Sequence, residues 1–139
     1  MKALIDTNVI IDSLQSRKGF LEDAGQVMLR ACDYDGYIAA SSITDIFYLQ
    51  GKFFGNKKKA KQNLADLLKI FKVLDTTAED CKNALRSEMA DFEDAILVES
   101  AMRSGINVIV TRNKKDFRNI ALKVCNPDEF LALIEDYSA

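Results

Sequence analysis

Apolar and polar positions along this chain fall into short runs and helical stripes that take turns. Lys2 to Ile5 is a brief apolar run, and Asp6-Thr7-Asn8 then supplies capping residues before Val9, Ile10 and Leu14, the pattern of a strand feeding a helix. Phe20 to Cys32 has helical spacing, and Asp35-Gly36 turns into Tyr37-Ile38-Ala39-Ala40, a second short strand. Ser42-Ile43-Thr44-Asp45 has the form of a capping box, so a helix is predicted over Ile43 to Phe54, ended by Gly55. Lys57 to Phe71 reads as a helix with Leu64, Leu67, Leu68 and Phe71 on its inner face, and Lys72 to Leu74 as a strand. Thr77 caps a helix through about Ser87, and another runs from Asp91 to Ser104 before Gly105. Asn107 to Thr111 is the clearest strand, because four of its five residues are β-branched. A last strand near Leu122 to Cys125 leads through Asn126-Pro127 into a C-terminal helix.

Short apolar strands alternating with helices imply an α/β fold with a parallel sheet covered on both faces. In such sheets the site lies beyond the carboxyl ends of the strands, where the strand order reverses. A chain of 139 residues suits one domain spanning 1–139. With 48% hydrophobic residues, one proline and six glycines, the composition is that of a packed protein and excludes a disordered one. Asp6 and Asp12 interrupt the one candidate signal-peptide core, so a soluble cytoplasmic protein with no membrane segment is expected.

Histidine is absent, which removes Ser-His-Asp triads, Cys-His pairs and histidine-based zinc or nuclease chemistry together. Cys32, Cys81 and Cys125 are odd in number and far apart, against a disulfide framework or a zinc site, and are expected to be core thiols. Hydrolytic chemistry would therefore have to run on carboxylates, and most simply on a metal held by them. Charge is unevenly spread: seven lysines against Asp66 between Lys52 and Lys72 make a net +6, and eight acids against Lys82 and Arg86 between Asp75 and Glu99 make −6. A basic segment beside an acidic one suits a polyanion held next to a metal cluster, and two solvated helices of opposite sign would look the same.

The predicted topology brings particular carboxylates to one sheet edge. Asp6 ends the first strand; Thr111, Asn113 and Asp116 follow the strong one; Asp45 lies in the first turn of the helix after the second strand. At about 100° per residue, Asp91 and Asp94 share the side of their helix with Ala95, Val98, Ala101 and Met102, while Glu93, Glu99, Ser100 and Arg103 lie toward solvent. Capping alone could account for Asp6, for Asp45 through Ser42, and for Asp91. Asp12, Asp75, Asp128 and Glu129 read as solvated or helix-dipole acids. Several unpaired carboxylates at one edge raise one another's pKa unless a cation sits between them. An oxygen-only donor set selects Mg²⁺ or Mn²⁺ over zinc.

IDTNVIID at residues 5–12, SSITDIFYL at 41–49, DFEDAILVESA at 91–101 and VTRNKKDF at 110–117 together resemble the PIN-domain family, including the VapC-type toxins. The resemblance implies a three-layer α/β/α sandwich around a short parallel sheet, and a Mg²⁺- or Mn²⁺-dependent endoribonuclease. It implies Asp6 and Asp94 as central metal ligands, Asp45 as the second acid, and Asp91 and Asp116 as further acids at the metal. Asp45 stands where the family usually carries glutamate, and Asn113 where many members carry a fourth aspartate, so one ion is expected and a second position is left open. Thr7, Asn8, Thr111 and Asn113 would order the cluster by hydrogen bonds around the ligands. Water would attack the scissile phosphate in line, leaving a 5′-phosphate and a 3′-hydroxyl. Lys57, Lys58, Lys59, Lys61, Arg112, Lys114 and Lys115 are candidate phosphate contacts. RNA, a cognate antitoxin protein and a second copy of the chain are the implied partners. Two other readings fit the same sheet: a PIN fold that binds RNA or protein without cutting, and a receiver- or phosphatase-like domain with a phosphoacceptor aspartate, Asp6 or Asp75.

Overall fold

The computed structural model describes residues 1–138 and is built on five parallel strands: β1 (Lys2–Ile5), β2 (Asp35–Ala39), β3 (Lys72–Leu74), β4 (Val108–Val110) and β5 (Lys123–Cys125). They stand in the order β3-β2-β1-β4-β5. The chain thus works outward from β1 in one direction and then returns to its other side through β4, so the order reverses between β1 and β4. This is also not the 2-1-3-4-5 order of receiver domains, so of the phosphoacceptor readings the receiver does not fit the sheet.

Helices α1 (Thr7–Leu14), α2 (Leu21–Leu29), α3 (Ile43–Phe54), α4 (Lys57–Ile70), α5 (Ala78–Ala84), α6 (Phe92–Arg103) and α7 (Pro127–Ser138) cover both faces. Side chains alternate along each strand. Ala3, Ile5, Ile38, Val108 and Val110 enter a core with Val9, Ile10, Ala24, Leu67, Phe130 and Ile134 from α1, α2, α4 and α7. Leu4, Ala39 and Ile109 point the other way, into a smaller core with Leu97, Val98 and Ala101 of α6. The result is the three-layer α/β/α sandwich the sequence predicts. No helix among the described residues is long and apolar enough to cross a membrane.

Local chemistry accounts for most element boundaries. Gly55 closes α3 in the left-handed conformation at φ 62°, where a side chain would be strained. Asn56 then caps α4 by accepting from Lys58 and Lys59 backbone N–H groups at 2.9 and 3.2 Å. Thr77 and Asp80 form the reciprocal capping box of α5. The box expected at Ser42 and Asp45 is absent: Ser42 is itself in helical conformation and caps nothing, which leaves the Asp45 carboxylate without a backbone partner.

Several expectations are corrected by packing. On α6, Ser100 Oγ donates at 3.0 Å, and Arg103 Nε and Nη2 donate at 3.0 and 2.9 Å, to the Asp80 carboxylate buried on α5. Ser100 is therefore buried and Met102 is exposed, the reverse of the helical-wheel assignment. Asp12 is a buried acid and not a solvated one, paired with Arg112 and Arg17. Leu68 lies at the exposed edge of α4, and Cys32 is exposed, so only Cys125 is a fully buried thiol.

Candidate active site

At the reversal point the ends of β1 and β4 are stitched together. Asp6 N–H donates to the Val110 carbonyl at 2.9 Å, placing the residue after β1 beside the residue after β4. The Asp6 carboxylate accepts from Thr7 N–H at 2.8 Å, from Thr111 Oγ1 at 2.8 Å and from Asn8 Nδ2 at 3.4 Å. Asn8 also donates to Thr111 Oγ1 at 3.3 Å and accepts from Arg112 N–H at 3.1 Å, and Asn113 N–H donates to Thr111 Oγ1 at 3.1 Å. Asp6 is thus both the cap of α1 and an acid held in one orientation by the buried Thr111 hydroxyl. The capping and site readings of Asp6 are not exclusive.

A cleft of about 340 Å³ opens over this pair, lined by Asp6, Asp45, Asp91, Glu93, Asp94 and Tyr48 among others. Asp91 caps α6 by accepting from Asp94 N–H at 2.9 Å, so its carboxylate has one oxygen committed to the helix while it lines the cleft. Asp116 joins Asp91, Asp94 and Lys115 in an adjoining hollow of about 320 Å³. Burial, opposed by the hydrogen bonds from Thr111 and Thr7, pushes the Asp6 carboxyl above its usual 3.8, and repulsion from Asp116 and Asp91 adds to it. Asp94 is pushed up to about 7 by burial and then by repulsion from Asp91, Asp6 and Asp116.

Glu93 is the residue the sequence reading placed on the wrong side. It lines the cleft, at hydrogen-bonding approach to Asp45, and this contact, burial and repulsion from Asp45, Asp91 and Asp94 lift it to about 7. Glu93 stands in the exposed first turn of α6, next to half-buried Asp94, and borders the cleft from there. A glutamate adjacent to Asp94 in the D-F-E-D run was the available signal.

The donor chemistry suits a hard divalent cation, being carboxylates whose mutual repulsion a cation would relieve. Among the described residues no three such side chains have closed into a ready coordination shell. They ring the cleft and stand apart.

The family model of the PIN domain matches residues 2–115, which includes all of these acids except Asp116. The chain belongs to the PIN-domain family. Solved structures with the same fold cover nearly the whole molecule. A chain of VapBC2 from Rickettsia felis, bound to a promoter DNA fragment, superposes with a TM-score of 0.70 at 19% identity, over 91% of this chain and 98% of that one. A chain of a toxin-antitoxin complex from Klebsiella pneumoniae gives 0.68 at 25% identity, over 90% and 97%. One of FitAcB from Neisseria gonorrhoeae gives 0.66 at 21% identity, over 90% and 97%. No curated protein matches the chain significantly.

The basic residues of this PIN domain divide into free and committed. Arg112 is engaged within the fold: its guanidinium bonds Asp12 at 2.9 and 3.3 Å and stacks 4.1 Å from the Phe20 ring. That arrangement neutralises a buried acid and ties α1 to the loop after β4. Lys114 pairs with Glu129 at 2.8 Å, joining that loop to α7. Lys115 borders the acids of the adjoining hollow. Lys57, Lys58, Lys59 and Lys61 are exposed on the first turns of α4.

Proposed function

We propose that this PIN domain is a metal-dependent endoribonuclease that acts in the cytoplasm as the toxin of a toxin-antitoxin pair. One observation carries the reading: Asp6, Asp45, Asp91, Glu93 and Asp94 surround a single cleft at the topological reversal of the sheet, with Asp116 beside it, and burial together with repulsion from its acidic neighbours drives the Asp94 carboxyl up to about 7. Asp6 and Asp94 would be the principal ligands of one Mg²⁺ or Mn²⁺, with Asp91 and Asp116 as further acids at the metal and Asp45 and Glu93 lining the same cleft. Bound there, the ion would supply a Lewis acid for the phosphate and for an attacking water. Thr111 and Thr7 hold Asp6 in place, Asn8 and Asn113 fix Thr111, and Leu97 closes the floor of the cleft. The likeness to a chain of the Klebsiella pneumoniae toxin-antitoxin complex supports a cognate antitoxin as regulator, and the family supports a homodimer.

The test is incubation of the purified protein with a mixed RNA pool, with Mn²⁺ or with EDTA, beside an Asp94→Asn variant. Cleavage is expected only for the unaltered protein with metal. Cleavage that persists in EDTA, or full activity of the variant, would sink the mechanism.

A further inference from the structure

Helix α3 carries one fully buried polar side chain where an apolar one would pack. Gln50, one turn after Ile46 on the inner face, is completely removed from solvent. Its Oε1 accepts from Gln15 Nε2 at 3.0 Å, and the same Gln15 nitrogen donates to the Leu49 carbonyl at 3.2 Å. A carbonyl only accepts, so Gln15 has to present its NH₂ group and Gln50 has to answer with its oxygen. Gln50 Nε2 is thereby left without a hydrogen-bond partner among the described residues. An unpaired buried donor carries its full desolvation cost, which a methionine of nearly the same shape would not. The pair is therefore a poor device for stability alone.

What the pair joins bears on the acid cleft. Gln15 is the C-terminal cap of α1, and Asp6 caps the other end of that helix, about 12 Å away. Leu49 lines the cleft together with Asp45, which stands in the first turn of α3. The bonds from Gln15 to the Leu49–Gln50 step thus link the helix headed by Asp6 to the helix that carries Asp45. Among the described residues no other side-chain hydrogen bond or ion pair joins α1 to α3. Apolar side chains alone let one helix slide on another at little cost, whereas a buried hydrogen bond holds a single register.

We propose that Gln50 and Gln15 are a positioning pair that holds α3 in one register on α1 and so fixes Asp45 relative to Asp6 across the cleft. Neither glutamine lines the cleft, so both act through the helices and not on a bound molecule. The inference rests on the nuclease reading only for its consequence in turnover; the register of α3 is measured without it.

The test is Gln50→Met, which keeps the length of the side chain and removes its acceptor. Urea unfolding of the variant is expected at a midpoint equal to or above that of the unaltered protein. Amide hydrogen exchange over Ile46–Phe54 is expected to speed up about tenfold while β1 stays protected. On an RNA that the unaltered protein cleaves with Mn²⁺, kcat is expected to fall about ten- to a hundredfold and KM to stay within about twofold, because a misplaced acid costs the reacting step and not the binding. Gln15→Met should give a comparable loss, and the double variant no more than either alone. Unchanged exchange over α3, or unchanged kcat in a variant whose α3 has loosened, overturns the positioning role. So does a lowered midpoint with protection lost evenly through the fold, which would make the pair purely structural. If α3 loosens as expected but the unaltered protein cleaves no RNA, the nuclease reading falls and the register role stands.

Discussion

Helix α6 carries Asp94 and Glu93 in its first turn and Asp91 as its cap, and a buried acid on a neighbouring helix ties down its other end. Asp80 accepts from Thr77 N–H at 2.9 Å, Ser100 Oγ at 3.0 Å and three N–H bonds of Arg103, whose Nη2 also reaches the Asp75 carbonyl at 2.8 Å. These donors hold the Asp80 carboxyl down at about 2, against an ordinary 3.8, with Arg103 the largest cause. The difference is worth roughly 2 kcal/mol of folding free energy, and about 1 to 2 kcal/mol once screening at the partly exposed guanidinium is allowed for. Because the folded-state value is depressed, the contribution is fully present above 3.8 and disappears as pH falls through about 2. Asp80→Asn keeps the size and the capping oxygen and removes the charge. Urea unfolding should find the variant less stable by about 1 to 2 kcal/mol at neutral pH, with the gap closing between 3.8 and about 2. A gap that stays constant through that interval would mean that the ion pair contributes nothing and that packing alone rolls α6 into place.

Thr111→Val removes the hydroxyl that orients Asp6, and Mn²⁺ affinity measured by calorimetry should fall about ten- to a hundredfold with little change in fold. Asp94→Asn should lower RNA cleavage by at least about a hundredfold, and the stabilisation on adding Mn²⁺, about 2.7 kcal/mol at a hundredfold excess over Kd, should shrink with it in a thermal melt. Gly36→Ala places a Cβ 2.4 Å from the Phe71 ring and 3.0 Å from Tyr34, and denaturant unfolding should show a loss of about 1 to 3 kcal/mol. Arg112→Ala should destabilise the protein by about 1 to 3 kcal/mol, since buried Asp12 keeps only Arg17 at 3.5 Å; no change in stability would mean that the Arg112–Asp12 pair contributes nothing to the fold.

Where the sequence was legible, local chemistry was in charge. The apolar run at Lys2–Ile5, the β-branched run at Val108–Val110, the glycine stop at Gly55 and the cap at Asp91 each act within a few residues, and the elements they predict are present. The alternation of strands with helices determined a parallel sheet, and the sheet rule pointed to the ends of β1 and β4, where the candidate site lies. Asp6 and Thr111 meet there at 2.8 Å. The tertiary structure alone decided which side chains a helix presents and which charges cancel. The wheel of α6 is ambiguous by itself because Ser100 can be buried, and Arg103 drawn against α5, once Asp80 satisfies them, and nothing near them in the chain says that α5 will carry that acid to them. Glu93 borders the cleft from the exposed first turn of α6, and Arg112 is engaged by Asp12, 100 residues away, which is buried and needs its charge. Periodicity and capping are short-range and survive as patterns in the chain, whereas desolvation and ion pairing depend on distant partners and exist only when the fold brings them together.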